Sequence, residues 1–238
     1  MSRRAVVLAG GKGLRLRPYT VVLPKPLMPI GEYPILEVVI RQLAGNGFDH
    51  VTLAVNHQAE LIKSFFGDGS KWGIKIDYSL EDRPLSTMGP LHLIPDLPNN
   101  FLIMNGDVLS DISYANFFEF HQSNSNVFTI SSYRRTNLVD YGVLDVGENE
   151  ILTGFREKPT DYYQVSMGIY MANKKILDII PKGVPYGFDS LMIDLLKAHI
   201  PVKVKNFDGC WLDIGRPDDY MKAIELFEAE QERFLPNE

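Results

Sequence analysis

Two periods of apolar residues take turns along the chain. Residues 4–9 (RAVVLA) are apolar after one arginine, the pattern of a strand buried on both faces. Residues 34–46 (PILEVVIRQLAGN) then set Leu36, Val39, Ile40 and Leu43 at helical spacing, and Gly45 and Gly47 mark that helix's end. The alternation continues with a strand at 50–55, a helix at 59–66, a strand at 73–79, a strand at 100–108 ending in a turn, a helix at 114–122 and a strand at 127–133. Strands alternating with helices predict an α/β fold: a Rossmann-like, mixed but mostly parallel sheet flanked by helices on both faces.

Beyond about residue 140 the pattern changes. Segments 141–146 (YGVLDV) and 151–159 (ILTGFREKP) flank the turn signal Gly-Glu-Asn-Glu and read as a hairpin, with a further strand at 164–172. A helix is expected at 188–200, short strands at 201–207 and 209–215, and an acidic helix at 216–234. In that last helix Pro217 suits the first turn, and Asp218 and Asp219 complement the helix dipole. No repeat, low-complexity stretch or linker interrupts the pattern. The expectation is a single domain over 1–238, with a nucleotide-facing half at 1–135 and an appended half at 136–238 that carries the C-terminal helix.

Composition narrows the setting. The single cysteine, Cys210, excludes an internal disulfide and suits a reducing compartment. No run of about 18 apolar residues is present, so no membrane span is expected. The first residues lead into about six apolar positions, too few for a signal peptide. A cytoplasmic protein is the resulting expectation. The net charge of −6 argues against broad nucleic-acid binding. Its distribution says more. Residues 1–31 hold Arg3, Arg4, Lys12, Arg15, Arg17 and Lys25 and no acid, leaving −12 for the remainder. A basic segment on an acidic chain points to a local anion site.

That segment contains GGKGLRLRPYTVVLPKP, residues 10–26. It fails the G-x-x-x-x-G-K-[ST] pattern because Gly13 follows Lys12, and the G-x-G-x-x-G pattern because Leu16 stands at the third glycine. Pro18, Pro24, Pro26 and Pro29 forbid a continuous helix, so the segment must spread over the end of the sheet. Glycines let backbone N–H groups approach phosphate, and prolines present Arg15 and Lys25 at small entropic cost. Such a loop suits an extended polyanion, for instance a triphosphate beside a second phosphate.

At this point the text LAGGKGLRLRPYTVVLPKPLMPIG resembles the signature of the sugar-1-phosphate nucleotidyltransferases, L-A-G-G-x-G-T-R-L-x-P-x-T followed by P-K-P. EDRPLSTMGPL resembles the family's base-binding segment, and MNGDVL its metal-aspartate turn. EKP and VSMGIY resemble its sugar-binding pair, and WLDIGRPDDY its second metal-aspartate segment. The motifs stand in family order over residues 7–220. The overall look is most similar to bacterial enzymes of the mannose-1-phosphate guanylyltransferase type.

The resemblance implies a nucleotidyltransferase or glycosyltransferase-A-like fold and transfer of a nucleotidyl group from an NTP to a sugar 1-phosphate. The products would be an NDP-sugar and pyrophosphate, with GTP and mannose 1-phosphate favoured. It implies catalytic roles for Arg15, which would hold the triphosphate, and Lys25, which would bridge the two reacting phosphates. Leu8, Gly10, Gly11, Gly13, Pro84, Thr87 and Gly89, with the loop beside Gln58, would bind the nucleotide. Gly142, Glu157 and Ser166 would bind the sugar, and Asp107 and Asp213 would hold Mg²⁺. The nucleophile is already ionised at neutral pH, so no general base is required. That agrees with a sequence lacking an evident Ser-His-Asp or Cys-His arrangement.

This chain departs from the pattern at Leu14, where the family has Thr, at Ser86 and Met88, which replace Gly and Ala, and at Ser166 and Met167, which replace Asn and Ala. The last pair is expected to reshape the sugar pocket. The C-terminal hexapeptide-repeat extension of some relatives is not expected, and a homo-oligomer is compatible with the family. Alternatives are thymidylyl, uridylyl or cytidylyl transfer, or a non-catalytic regulatory homologue.

Overall fold

The first apolar run lies inside a seven-stranded sheet, sandwiched between two apolar clusters, as a strand without polar alternation must be. The computed structural model describes residues 2–56 and 58–236. Its strands are β1 (Arg4–Leu8), β2 (Pro29–Ile30), β3 (Tyr33–Pro34), β4 (His50–Val55), β5 (Lys75–Leu80), β6 (Asn100–Asn105), β7 (Val108–Ser110), β8 (Phe128–Leu138), β9 (Val143–Val146), β10 (Leu152–Arg156), β11 (Thr160–Asn173), β12 (Val202–Phe207) and β13 (Trp211–Asp213). Its helices are α1 (Ile35–Gly45), α2 (Ala59–Phe66), α3 (Tyr114–Ser123), α4 (Phe188–Lys197), α5 (Pro217–Ala229) and α6 (Gln231–Phe234).

The sheet order is β12-β8-β11-β6-β1-β4-β5. β1, β4, β5 and β6 are mutually parallel, β12 runs parallel to β8, and β11 is antiparallel to both its neighbours. The sheet is therefore mixed and mostly parallel. Side chains alternate across it. Ala5 and Val7 pack with Leu36, Val39, Ile40 and Leu43 of α1 on one face, whereas Val6 packs with Leu191 and Leu195 of α4 on the other. The period-3.6 stripe read from residues 34–46 is thus the face of α1 that meets the sheet.

A third apolar cluster lies beside the sheet. Leu16, Met28 and Ile30 from the proline-rich loop pack with Tyr220, Ala223 and Phe227 of α5 and Phe234 of α6. Tyr220 donates its hydroxyl to the Pro29 carbonyl at 2.6 Å. The C-terminal helix is a buttress under the basic loop. It is not the continuous helix expected over 216–234. The backbone leaves helical geometry at Glu230 (φ −134°, ψ 39°). Past that break Arg233 donates to Asp111 at 2.5 Å, and the Phe234 carbonyl accepts from Gln42 at 3.1 Å. Those two bonds hold the last turn against the body of the fold.

The expected hairpin forms from β9 and β10. β8 and β11 run several residues past the expected strand ends and pair with one another there. β11 sits between β6 and β8, so the two halves of the chain share one sheet. Among the described residues no helix is long and apolar enough to cross a membrane.

Candidate active site

Strand order reverses beside β1: the chain leaves β1 for β4 on one side, and β6 leads on to the other side. In an open α/β sheet that reversal opens a crevice beyond the carboxyl ends of the strands. A cleft of about 690 Å³ occupies this place. Its floor is Leu8, Ala9 and the glycine turn 10–13, and its walls carry residues that follow β4, β5 and β6: Asn56, Glu81, Asn105 and Asp107.

The glycine turn is dictated locally. Gly13 has φ +60°, and a Cβ there would come within 2.8 Å of Thr20 Cγ2. The Thr20 hydroxyl donates to the Gly13 carbonyl at 2.7 Å, closing the turn. The proline-rich stretch that follows is three short 3-10 turns, at Leu14–Leu16, Tyr19–Val21 and Lys25–Leu27. Between them Arg15 is delivered to the cleft and Leu16 to the third apolar cluster. Gln58 ties the loop down by donating to the Val22 carbonyl at 2.9 Å, while its neighbour His57 lies outside the described residues.

Lys25 is only 8% exposed, and its ammonium is ion-paired with Asp107 Oδ2. Asp107 follows β6 in the turn before β7. β7 pairs antiparallel with β13, which sets Val108 opposite Asp213, and the Ile214 amide donates to the Asp107 carbonyl at 3.1 Å. The two aspartates, 106 positions apart, are joined by this small sheet. Asp213 is open to solvent on one side, yet desolvation by the packed protein around it, reinforced by the Asp107 charge, raises its pKa. Lys25 and Arg15 pull the other way. The Arg15 guanidinium lies over Gly215; a Cβ at that glycine would be 3.1 Å from an Arg15 Nη.

The donor set suits a hard divalent cation. Asp107 Oδ1 is buried and has no hydrogen-bond partner, a costly arrangement for a carboxylate oxygen unless a cation or donor can reach it. Magnesium commonly takes one or two carboxylates and completes its shell with water and substrate phosphate. Among the described residues no group of three or more His, Cys, Asp or Glu side chains is placed to hold a metal ion, so a two-carboxylate arrangement is the form such a site would take.

The base-binding segment lies along the same cleft. Pro84, Ser86 and Thr87 line it. Thr87 Oγ1 accepts from the Phe188 amide at 2.8 Å, fixing the segment to the first turn of α4. Ser86 has φ +64°, so the chain turns left-handed where the family has Gly. Gly89 is elsewhere: it is buried, its amide donates to the Tyr186 carbonyl at 3.1 Å, and a Cβ there would meet the Val184 carbonyl at 3.0 Å. Its glycine is required by packing beneath the segment.

The structure thus gathers Leu8, Gly10, Gly11, Gly13, Arg15, Lys25, Pro84, Thr87 and Asp107 around one cleft, with Asp213 beside them. It does not bring the three sugar candidates into that lining. Gly142 and Glu157 are neighbours at the base of the β9–β10 hairpin, where a Cβ on Gly142 would sit 3.2 Å from Glu157 Oε2. Ser166 precedes a bulge in β11, donates to the Tyr170 hydroxyl at 3.1 Å and accepts the Gly168 amide at 3.3 Å. The methionine departures need correction. Met167 and Met88 are fully buried in the two sheet-face clusters, so neither shapes a pocket. Arg4 also leaves the anion site: it is buried at the opposite end of β1, bonded to Thr52 at 2.7 Å.

Sequence reasoning passed over Asn56, Glu81 and Asn105. A signal existed, since each follows or ends a parallel strand on the edge where ligands collect. Gly215 carried no such signal, because what explains it is the crowding of a Cβ there by the Arg15 guanidinium at 3.1 Å and by Asp213 Oδ2 at 3.3 Å.

The chain matches the family described as nucleotidyl transferase over residues 4–230. It is 33% identical to the mannose-1-phosphate guanylyltransferase of Mycobacterium tuberculosis over 227 residues, covering 92% of this chain and 63% of that protein. It is 32% identical to the UTP–glucose-1-phosphate uridylyltransferase of Synechocystis over 241 residues, covering 93% and 62%. The chain therefore spans a little over three-fifths of the length of these curated relatives. Its fold superposes on the crystal structure of HddC from Yersinia pseudotuberculosis complexed with GMP-PN, with a TM-score of 0.71 at 27% identity, covering 94% of this chain and 99% of the other. With motif order, sheet topology and cleft in agreement over nearly its whole length, the chain belongs to the nucleotidyl transferase family.

Proposed function

We propose that the chain catalyses nucleotidyl transfer from an NTP, with GTP favoured, to a sugar 1-phosphate, with mannose 1-phosphate or a related sugar phosphate as acceptor. The observation that carries the reading is the convergence, at the carboxyl ends of β1 and β6, of a glycine turn, two basic side chains and two carboxylates on a chain of net charge −6. The guanylyltransferase relative and the GMP-PN complex of HddC support the choice of base. One compartment suits a chain with a single cysteine, and the proposed location is the cytoplasm.

In this reading the triphosphate lies along the glycine turn, whose N–H groups face the phosphates. Arg15 grips the triphosphate with its planar fork and stays with the departing pyrophosphate. Lys25 moves from Asp107 to the phosphates when they arrive, a point charge exchanging one anion for another. An oxygen of the sugar phosphate attacks the α-phosphorus in line, the bond to pyrophosphate breaks, and no proton needs to be removed. Positioning and charge neutralisation supply the rate enhancement. Asp107 and Asp213 would hold Mg²⁺, which when bound neutralises phosphate charge. Glu157, Gly142 and Ser166 would receive the sugar as the hairpin approaches it.

The test is pyrophosphate release with GTP, UTP, dTTP, CTP and ATP, each against a panel of sugar 1-phosphates. Release that requires both substrates supports the reading. Absence of release from every pair, with properly folded protein, rejects it.

A further inference from the structure

The tip of the β9–β10 hairpin has no part in the chemistry above. Among the described residues its two strands form a sheet of their own, separate from the central one. Leu144 lies opposite Phe155 and Val146 opposite Leu152, so both pairs fall on one face. These four side chains, with Tyr141 and Ile151, are each more than half exposed. A two-stranded hairpin is marginal in water unless its apolar face packs on something, and an exposed apolar patch of this kind marks an interaction surface. The hairpin is also acidic. Residues 140–157 hold five acids and one base, a net charge of −4. Arg156 lies 3.9 Å from Asp145, and Lys158 lies 3.2 Å from Asp140. Among the described residues Glu148 and Glu150, at the tip, have no ion-pair partner.

A surface of opposite charge lies on the loop beside the cleft. Residues 11–23 carry Lys12, Arg15 and Arg17 and no acid. Leu14, Tyr19, Val21 and Val22 of this loop are each more than half exposed. Among the described residues Arg17 has no ion-pair partner. The loop is anchored by Leu16 in the third apolar cluster and by Gln58 on the Val22 carbonyl, so a partner seated on it would have little chain to order. We propose that the hairpin of one copy of this chain docks on this loop of a second copy, and reciprocally, in a two-fold dimer. The apolar face of the hairpin meets the apolar loop, and Glu148 and Glu150 meet Arg17. Each copy brings six apolar side chains from its hairpin and four from its loop. Together they offer on the order of 800 Å², the share each partner gives to a standard interface. Because Leu14 also lines the cleft, the hairpin of each copy completes the rim of the other's cleft. Such docking requires neither nucleotide nor sugar phosphate.

Sedimentation velocity of the full chain without ligands should give twice the chain mass. Arg17→Glu, and Glu148→Lys with Glu150→Lys, should each weaken the dimer at least about tenfold, because like charges then face one another. All three side chains are exposed, and circular dichroism checks that the variants fold. Combining Arg17→Glu with the two lysine substitutions restores opposite charges and should restore the dimer. A monomer at every concentration overturns the proposal, as does a dimer that neither charge reversal weakens. Cross-linking then locates the contact. In a Cys210→Ser background, Val22→Cys and Leu152→Cys chains are oxidised separately and after mixing. Doubled mass that appears only on mixing supports the hairpin seated on a second copy's loop. Doubled mass from Leu152→Cys alone places hairpin on hairpin, and from Val22→Cys alone loop on loop; either overturns the proposal. A chain carrying both cysteines that forms its disulfide without doubling its mass shows the hairpin closing on its own loop, which overturns it too.

Discussion

Lys25 and Asp107 share an ion pair that leaves the second carboxylate oxygen, Asp107 Oδ1, buried and unpartnered. Lys25 is fixed between two prolines and Asp107 in the turn after β6, so neither long rotamer searches nor loop ordering oppose the pair. The cation therefore serves two anions in turn, the aspartate before substrate and phosphate after it. Lys25→Ala should lower stability by about 1–3 kcal/mol, because it strands a partly buried carboxylate. It should also reduce turnover while leaving NTP affinity largely intact. Arg15→Ala, on an exposed side chain, should spare stability and weaken NTP binding. Urea unfolding and calorimetry with NTP alone separate these effects; NTP affinity lost in Lys25→Ala but kept in Arg15→Ala would reverse the assigned roles.

Asp213 gives a pH prediction whose sign can be worked out. Desolvation and Asp107 raise its pKa in the folded state. A raised carboxylate binds its proton more tightly folded than unfolded, so its contribution favours the fold below the unfolded pKa and is lost as pH rises through the folded one. Without divalent ions, Asp213→Asn should thus be more stable than wild type at pH 7, with the difference closing toward pH 3. Added Mg²⁺ should stabilise wild type and leave Asp213→Asn nearly unmoved. For activity, Asp107→Ala and Asp213→Ala should each cost at least about 100-fold, and excess chelator should abolish turnover. Full activity in chelator would remove the metal from the scheme.

Ser86 holds a left-handed conformation that favours glycine. Serine there bears a steric cost of about 1–2 kcal/mol, offset in part by the entropy glycine loses on folding. Ser86→Gly should raise stability by about 0.5–1 kcal/mol, read as a higher melting temperature. A lower melting temperature would mean that the Ser86 hydroxyl contributes more than its strain costs.

His121 is fully buried, bonded through Nδ1 to Thr129 at 2.8 Å, with Nε2 unpartnered. Burial lowers its pKa to about 4. The folded state keeps it neutral while the unfolded chain protonates it near pH 6.5, so stability should fall as pH drops through that window. The loss should be on the order of 3 kcal/mol by pH 4. His121→Gln should flatten the curve between pH 6.5 and 4. Denaturant midpoints across that range decide it, and parallel curves for the two proteins would place the acid sensitivity elsewhere.

Periodicity alone located the first half of the fold well. Buried parallel strands need continuous apolar runs and covering helices need a single stripe, and residues 4–9 and 34–46 carry those signals undiluted. Residues 141–159 announced a hairpin because turn chemistry is local. The ends were harder. The extensions of β8 and β11 consist of exposed polar and aromatic residues whose strand character comes from pairing with each other. The break at Glu230 carries no breaker residue; long-range bonds from Arg233 and Phe234 hold the turn beyond it.

For the site, the sequence by itself determined the residue types. Glycines for a left-handed turn, prolines to deny a helix, and basic side chains between them are requirements of the backbone and of phosphate that hold wherever the segment lies. Only the tertiary structure decided which residues meet. Asp107 and Asp213 are joined because β7 and β13 pair across 100 residues, and Lys25 becomes a buried partner of Asp107 because α5 supports its loop from below. Met88 and Met167 sit in motifs yet belong to the core, since alternation along a strand or turn sends neighbouring side chains to opposite faces. Glu81 stands in the cleft because β5 runs parallel to β4, which separates it from β1, and ends on the same edge of the sheet. Such placements depend on strand order, which long-range packing sets and no local run of residues encodes.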